Sequence, residues 1–171
     1  MLPIETCAVP ADTFLYSYCA NGAYTDCYCT EIPIQITFPE YVFAFYTTPL
    51  FKLERWILTW SVSKPSTDMQ ASELADCQRE TFAAWTVENR NEREMLMCDF
   101  QGRTRSWLSV IPMEHSRTRF YFGSAVVPMR SATTGRASLG FIFQVLLGFH
   151  KIYSRLLLYS ARSKLLAYRR S

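Results

Sequence analysis

The spacing of apolar and polar side chains changes period several times along the chain, and each change marks a new element. Residues 24–32 alternate with a period of two, which predicts a strand. Thr37 and Glu40 match the pattern of a helix capping box, and the apolar residues that follow have helical spacing. Pro49 cannot continue that helix, so a second helix is predicted to begin there with Thr48 as its cap.

The rest of the chain is predicted to form a third helix, four strands and a final helix. Thr67 and Gln70 match another capping box, which predicts a third helix over residues 68–81. The period then falls to two, and short connections favour an antiparallel meander of four strands over residues 83–90, 95–101, 103–111 and 118–127. Ser138 can cap a final helix over residues 139–167. The order β-α-α-α-β-β-β-β-α predicts an α+β fold in which an antiparallel sheet packs on a long C-terminal helix.

The composition limits the class of protein. With 171 residues, 49% of them hydrophobic and 15% aromatic, the chain is too apolar for a disordered segment and has the size of one domain. We expect a single domain over residues 1–171, with residues 1–23 as an N-terminal extension. The uncharged run over residues 137–150 is shorter than the roughly 20 residues that span a bilayer. The N-terminus lacks the basic region of a secretory signal peptide, so a cytoplasmic location is expected.

Charge is divided unevenly between the two parts of the sequence. Residues 1–99 contain 14 acidic and 6 basic side chains, whereas residues 100–171 contain 12 basic side chains and Glu114 as their one acid. One interpretation is electrostatic attraction between the two parts within one fold. The other is that the basic C-terminal segment contacts an anionic surface, through Lys151, Arg155, Arg162, Lys164, Arg169 and Arg170. Nucleic acid is not an expected partner, because the net charge is only +3 and the acidic part would repel phosphates.

Metal and cofactor sites are not indicated by the sequence. Cys27 and Cys29 are two residues apart and would share one face of a strand, but a structural zinc site needs two further ligands. The histidines are His115 and His150. We interpret most of the cysteines as reduced, small apolar core residues. The six cysteines of the chain are Cys7, Cys19, Cys27, Cys29, Cys77 and Cys98. No metal ion or cofactor is predicted.

Three short segments carry a likeness to a known family. They are Gly102-Arg103-Thr104-Arg105-Ser106-Trp107-Leu108, Thr118-Arg119-Phe120-Tyr121-Phe122 and Leu147-Gly148-Phe149-His150-Lys151-Ile152-Tyr153. Over residues 82–158 the chain resembles a bacterial family of unknown function in the START and Bet v 1-like (SRPBCC) superfamily. The resemblance implies a START-like helix-grip core over residues 24–167, with a curved sheet around the C-terminal helix and a cavity for apolar ligands between them. Gly123-Ser124-Ala125 and the aromatic helix pair over residues 38–60 depart from the family's pattern.

The function is inferred from that resemblance, because the chain carries no catalytic motif that we recognise. The sequence lacks a nucleophile elbow, a phosphate-binding loop, a dinucleotide fingerprint and a zinc-protease helix, so it does not favour an enzyme. The resemblance implies non-catalytic binding of an apolar small molecule or lipid. The candidate lining residues are Trp107, Tyr121, His150 and Tyr153, with Arg105 for an anionic end of the ligand.

Two alternative functions stay open at this point. The apolar and basic C-terminal helix, over residues 139–159 with the basic tail beyond it, suits docking on an anionic membrane or a protein partner. An enzymatic role would use His150 as an acid or base, since histidine titrates near neutral pH. Each lining candidate also has an ordinary structural explanation, as a core histidine, a core aromatic residue or an ion-paired arginine. The sequence leaves the oligomeric state open.

Overall fold

A computed structural model describes residues 4–62, 65–127 and 141–168, without the side chains of residues 54, 57–62 and 141–150. The elements in chain order are strand β1 (Glu5–Thr6), helix α1 (Phe14–Ala20), β2 (Tyr24–Ile32), α2 (Phe38–Tyr46), α3 (Pro49–Val62), α4 (Asp68–Ala75), β3 (Thr81–Phe82), β4 (Trp85–Arg90), β5 (Glu94–Asp99), β6 (Thr104–Met113), β7 (Arg117–Val126) and α5 (Phe141–Tyr168). Every predicted element is found, and β1, α1 and β3 are additional to the prediction. Ser138, the predicted cap of the last helix, lies outside the described residues.

The strands form one seven-stranded sheet in the order β1-β2-β7-β6-β5-β4-β3, with antiparallel pairing between all neighbours. β4 to β7 are the predicted meander. β2 pairs with β7 over its whole length, from Tyr24 opposite Val126 to Ile32 opposite Thr118. The predicted α+β class, with an antiparallel sheet and a C-terminal helix, is therefore confirmed.

Helices α2, α4 and α5 cover one face of the sheet, which we call the helix face. The core on this face is aromatic: the ring of Phe45 lies 5.0 Å from that of Phe122, and the ring of Tyr46 lies 4.8 Å from that of Phe51. Tyr41 is fully buried and its hydroxyl donates a hydrogen bond to the backbone oxygen of Tyr121 at 2.8 Å. This bond satisfies the polar group of a side chain that otherwise contributes apolar area.

The helix starts follow from local side-chain chemistry. Thr37 and Glu40 form both hydrogen bonds of the predicted capping box at the start of α2. Thr48 accepts a hydrogen bond from the backbone of Phe51, which places α3 directly after α2. The second predicted capping box, at the start of α4, is likewise complete. These bonds satisfy N–H groups that a helix start leaves without partners.

α4 is shorter than predicted, because it ends at Ala75 and not near residue 81. The backbone of Cys77 has a φ of +59°, and its N–H bonds to the carbonyl of Leu74. The N–H of Gln78 bonds to the carbonyl of Glu73. This is a Schellman ending, which normally has glycine in the left-handed position. Because cysteine occupies that position here, no glycine marks the end of α4 in the sequence.

The other face of the sheet carries α1, and we call it the α1 face. Residues 4–23, which belong to the expected N-terminal extension, supply β1 and α1. Leu15 of α1 is fully buried against Cys27, Trp107 and Gly123. A Cβ at Gly123 would lie 2.5 Å from Leu15 Cδ2 and 3.0 Å from the backbone oxygen of Asp26. The missing side chain at Gly123 is therefore what lets α1 approach the sheet.

α5 packs across the helix face against α2, α3, β2 and β7. Its inner side is buried through Leu157, Leu158, Ala161 and Leu165. Among the described residues, no helix combines the length and the apolarity needed to cross a lipid bilayer.

Candidate ligand cavity

A cavity of about 560 Å³ lies on the helix face, between the sheet and helices α3 and α5. Its lining is mostly aromatic and aliphatic, and comprises Phe45, Leu50, Phe51, Leu53, Trp85, Thr104, Arg105, Ser106, Phe122, Ser124, Ala125, Val126, Ile152, Tyr153, Leu156 and Leu157.

The cavity forms where the sheet carries small side chains. In the strand register, Asp26, Ser124 and Ser106 are directly opposite one another on β2, β7 and β6, and all three point to the helix face. The next row carries Tyr28, Phe122 and Leu108, which fill the space below the helices. The row of Asp26, Ser124 and Ser106 has smaller side chains than the row beside it, so space remains between this part of the sheet and α5.

A buried polar cluster lies beside the cavity. Ser124 Oγ lies 2.5 Å from Asp26 Oδ1, and the hydroxyl of Tyr28 donates to Asp26 Oδ2 at 3.4 Å. Burial raises the pKa of Tyr28 above its ordinary value, and the nearby Asp26 carboxylate raises it further. Tyr28 therefore keeps its proton and acts as a donor. One end of the cavity thus has polar groups while the rest is apolar.

The mouth of the cavity is apolar and open to solvent. Leu53, Ile152 and Leu156 line it and are 53%, 62% and 49% exposed. Trp56 on α3 and Tyr159 on α5 are also exposed. Exposed large apolar side chains that are close together often mark a binding site.

The predicted lining residues are divided between the two faces. Tyr153 lines the cavity. Trp107 and Tyr121 are together on the α1 face, with ring centroids 5.8 Å apart, and do not line it. His150 belongs to α5, but its side chain is outside the described part of the chain.

Arg105 borders the cavity, but its charged group is on the α1 face. Its Nε atom lies 2.6 Å from Glu88 Oε2 and 2.9 Å from the hydroxyl of Tyr18. The guanidinium also lies over the ring of Tyr18, 4.9 Å from the ring centroid. The charge of Arg105 is thus used in fixing α1 to the sheet.

Trp107 has a comparable structural role. It is fully buried, and its Nε1 donates to Glu94 Oε2 at 2.6 Å. The same oxygen accepts the backbone N–H of Phe14 at the start of α1, at 3.1 Å. Trp107 and Glu94 therefore help to hold α1 in place.

Sequence reasoning missed most of the cavity lining, including Phe45, Phe51, Ser106 and Ser124. The helical spacing of apolar residues 41–46 indicated a buried helix face but not a void beside it. The alternation of small residues at 106 and 124 with large ones at 108 and 122 was a visible signal. It becomes informative only when the register of β6 and β7 is known.

Residues 4–62, 65–127 and 141–168 contain no group of three or more His, Cys, Asp or Glu side chains arranged to hold a metal ion. Comparison of the chain with protein-family models, with curated proteins and with solved structures gives no match.

Proposed function

We propose that the protein binds an apolar small molecule or lipid in the cavity between the sheet and α5, without catalysing a reaction. The observation that carries the proposal is the cavity itself, whose volume of about 560 Å³ falls within the range of small-molecule sites. An apolar lining with a few polar groups at one end is also usual for such sites. We further propose that the fold is of the START-like helix-grip type, in which the sheet and the long C-terminal helix enclose the ligand.

The charge distribution around the cavity favours a neutral ligand. Arg105, the candidate for an anionic end, is paired with Glu88 on the α1 face. The buried polar cluster contributes the carboxyl group of Asp26 and the hydroxyl groups of Ser124 and Tyr28, and no cationic group. An anionic headgroup in the cavity would therefore lack a cationic partner from Arg105. A sterol, a fatty alcohol or a similar uncharged amphiphile fits better.

The first test is native mass spectrometry of gently purified protein, followed by organic extraction of the released material. We expect one apolar molecule bound per protein chain. A second measurement uses the fluorescent apolar probe 1-aminoanthracene with protein stripped of ligand. Saturable binding at a stoichiometry of one is expected.

A variant links the binding to the cavity. Ser106→Leu places a larger side chain inside it, and the probe's affinity should fall by about ten-fold, equivalent to ~1.4 kcal/mol of lost contact. Thr86→Leu, on the exposed part of β4, is the matched control and should bind as the original protein does. Circular dichroism checks that both variants fold. If Ser106→Leu binds the probe unchanged, the cavity is not the binding site.

The exposed mouth favours a second candidate function, docking on an anionic membrane. Trp56, Ile152 and Leu156 expose apolar surface, and Lys151 and Arg155 lie exposed on the same helix as the last two. Apolar side chains next to basic ones are the usual composition of a membrane-interface helix.

Part of the basic C-terminal segment is not free to contact a membrane. Arg162 is buried and donates to the backbone oxygen of Glu31, and Lys164 donates to the backbone oxygen of Thr47. Arg169 and Arg170 lie outside the described residues. The docking hypothesis therefore depends on Lys151 and on Arg155, which is exposed although its Nη2 also donates to Thr6 Oγ1 at 3.0 Å.

Flotation with phosphatidylcholine vesicles, with and without phosphatidylserine, tests this second function. If the protein docks on anionic membranes, we expect co-flotation that needs phosphatidylserine and falls with added salt. It should be lost in the double variant with Lys151→Ser and Arg155→Ser. Trp56→Ser should weaken it too, because an interfacial aromatic side chain is lost. Absence of co-flotation with both vesicle types would rule out membrane docking and leave ligand binding unaffected.

A further inference from the structure

Three cysteine side chains meet on the α1 face at the edge of the sheet. In the β1–β2 ladder, Glu5 is opposite Cys29 and Thr6 is opposite Tyr28. The next step puts Cys7 opposite Cys27, and the N–H of Cys7 donates to the backbone oxygen of Cys27 at 3.0 Å. The two Sγ atoms lie 3.4 Å apart. The sequence separates these cysteines by twenty positions, so only the pairing of β1 brings them together.

The three thiols differ in how easily they lose a proton. Hydrogen bonding with Cys27 lowers the pKa of Cys7 from 9.0 to about 7, against the opposing effect of burial. Burial, followed by the interaction with Cys7, raises the pKa of Cys29 to about 12. The hydrogen bond with Cys7 and burial also raise the pKa of Cys27. At neutral pH, Cys7 is therefore the thiol that is substantially ionised, while its two neighbours keep their protons and donate to it.

The surroundings of Cys7 combine access with a favourable charge. Cys7 is half-buried and lines an open groove of about 650 Å³ at the sheet edge, whereas Cys27 is 1% exposed. The charged and titratable groups that act on Cys7 come from three strands: Glu5 on β1, Cys27 and Cys29 on β2, and Arg119 and Tyr121 on β7. Arg119 favours the thiolate, and Glu5 opposes it. A solvent-accessible thiolate beside a second thiol is the usual arrangement of a redox-active cysteine pair.

We propose that Cys7 and Cys27 are a peroxide-reactive dithiol, with Cys7 as the nucleophile and Cys27 as the resolving thiol. The Cys7 thiolate attacks one oxygen of hydrogen peroxide. The O–O bond breaks, Cys7 becomes a sulfenic acid, and the leaving hydroxide takes up a proton to form water. The sulfur of Cys27 then attacks the sulfur of Cys7. The S–O bond breaks, the disulfide forms, and a second water leaves with the proton from Cys27.

The sheet geometry selects Cys27 and not Cys29 as the partner. Residues directly opposite in an antiparallel pair have Cα atoms about 4.5–5.5 Å apart, and this falls inside the disulfide range of about 4.4–6.8 Å. Cys29 is diagonal to Cys7, where separations of about 7–8 Å are usual. The disulfide would join β1 to β2 and close a loop containing α1, so the oxidised protein should resist unfolding better than the reduced one.

The experiment treats the full-length reduced protein with hydrogen peroxide, followed by intact-mass measurement and peptide mapping without reduction. The expected product has lost two hydrogen atoms and contains a peptide that links Cys7 to Cys27. Cys7→Ser should abolish this product. In Cys27→Ala, Cys7 should instead accumulate as a sulfenic acid that dimedone traps, and it should form more slowly because the thiolate has lost the Cys27 hydrogen bond. Cys77→Ser removes an exposed thiol far from the pair in sequence and serves as the control, with unchanged disulfide yield.

A second measurement does not require the disulfide to form. At pH 7 iodoacetamide should alkylate Cys7 about three-fold faster than an exposed thiol of ordinary reactivity, since a larger thiolate fraction outweighs lower nucleophilicity. The rate should rise with pH with a midpoint of about 7. Links from Cys7 to Cys19 or Cys29, an unchanged disulfide yield in Cys27→Ala, or oxidation of Cys19 and Cys77 before Cys7 would each overturn the proposal.

Discussion

Glu94 is a buried acid whose environment is built from three hydrogen-bond donors. Its carboxylate accepts from the indole of Trp107 at 2.6 Å, from the backbone of Phe14 at 3.1 Å and from the side chain of Asn91 at 3.3 Å. Glu94 is only 6% exposed, so water does not replace these partners easily. The residue connects β5, β6 and the start of α1.

Removal of the carboxylate should therefore be costly. Glu94→Ala leaves the buried Trp107 indole and the first turn of α1 without an acceptor, and we expect a loss of about 2 kcal/mol in the free energy of unfolding. Urea denaturation followed by tryptophan fluorescence measures this loss. Glu92→Ala, at an exposed position two residues earlier, should change it by less than about 0.5 kcal/mol. Equal losses in the two variants would contradict the role of Glu94.

Gly123 offers a second prediction about α1. The Cβ of an alanine there would lie 2.5 Å from Leu15 Cδ2 and 3.1 Å from Trp107 Cε3. It could not move away from them freely, because the backbone oxygen of Asp26 is only 3.0 Å from it. We expect Gly123→Ala to destabilise the protein by about 1–3 kcal/mol through overpacking. In a Leu15→Ala background the same substitution should cost clearly less, since the clashing methyl group is gone. A thermodynamic cycle from four denaturation curves measures the difference, and strict additivity would exclude the contact.

At the scale of elements, the features that sequence analysis predicted correctly are those with local signals. The capping boxes at Thr37 and Thr67 and the break at Pro49 each involve residues within one turn of helix. β1 and α1 lack such signals, because the two residues of β1 show no periodicity and the site for α1 depends on distant residues. Gly123, Trp107 and Glu94 are from 79 to 109 positions away from Phe14 and Leu15 in the chain.

The end of α4 provides a prediction at this scale. Cys77 holds a φ of +59°, a region that costs a non-glycine residue roughly 1 kcal/mol. Cys77→Gly should raise the free energy of unfolding by about 0.5–1 kcal/mol, because the Schellman ending stays intact while the steric strain is relieved. Cys77→Ala is the matched control and should have little effect, since alanine keeps the Cβ. Thermal unfolding by circular dichroism compares the two, and a larger gain with alanine would contradict the explanation.

At the scale of the whole molecule, the location of the cavity could not be predicted from the sequence. The alternation of apolar and polar residues along a strand does not show which helices cover which face of the sheet. Arg105 and Trp107 are two residues apart on β6 and so share one face of the sheet. The sequence does not reveal that α1 covers this face while α2, α4 and α5 cover the other. Large aromatic residues were natural lining candidates, but Trp107 and Tyr121 pack under α1. The cavity instead lies above small residues, Ser106 and Ser124, whose significance depends on strand register.

The uneven charge distribution also has a structural explanation at this scale. The basic second part of the chain pairs with the acidic first part, because Arg105 contacts Glu88 while Arg117 and Arg119 both contact Glu31. Glu31 is 12% exposed and lies between the two arginines, which are 43% and 39% exposed. The contacts favour attraction within the fold as an explanation of the charge pattern.

This attraction predicts that salt weakens the fold. Ions screen the partly exposed pairs, so raising sodium chloride from low to physiological strength should lower the unfolding midpoint. Glu31→Gln leaves Arg117 and Arg119 facing each other without their shared carboxylate, and we expect a loss of about 1 kcal/mol at low salt. Added salt should shrink that loss, since it screens the repulsion between the arginines.

Asp68→Asn, which removes a carboxylate that pairs with Lys52 and Arg55 inside the first part of the chain, is the matched comparison. Denaturation curves at several salt concentrations measure both variants. If Glu31→Gln is as stable as the original protein at low salt, the two parts of the chain are held together by apolar packing and the sheet ladder alone.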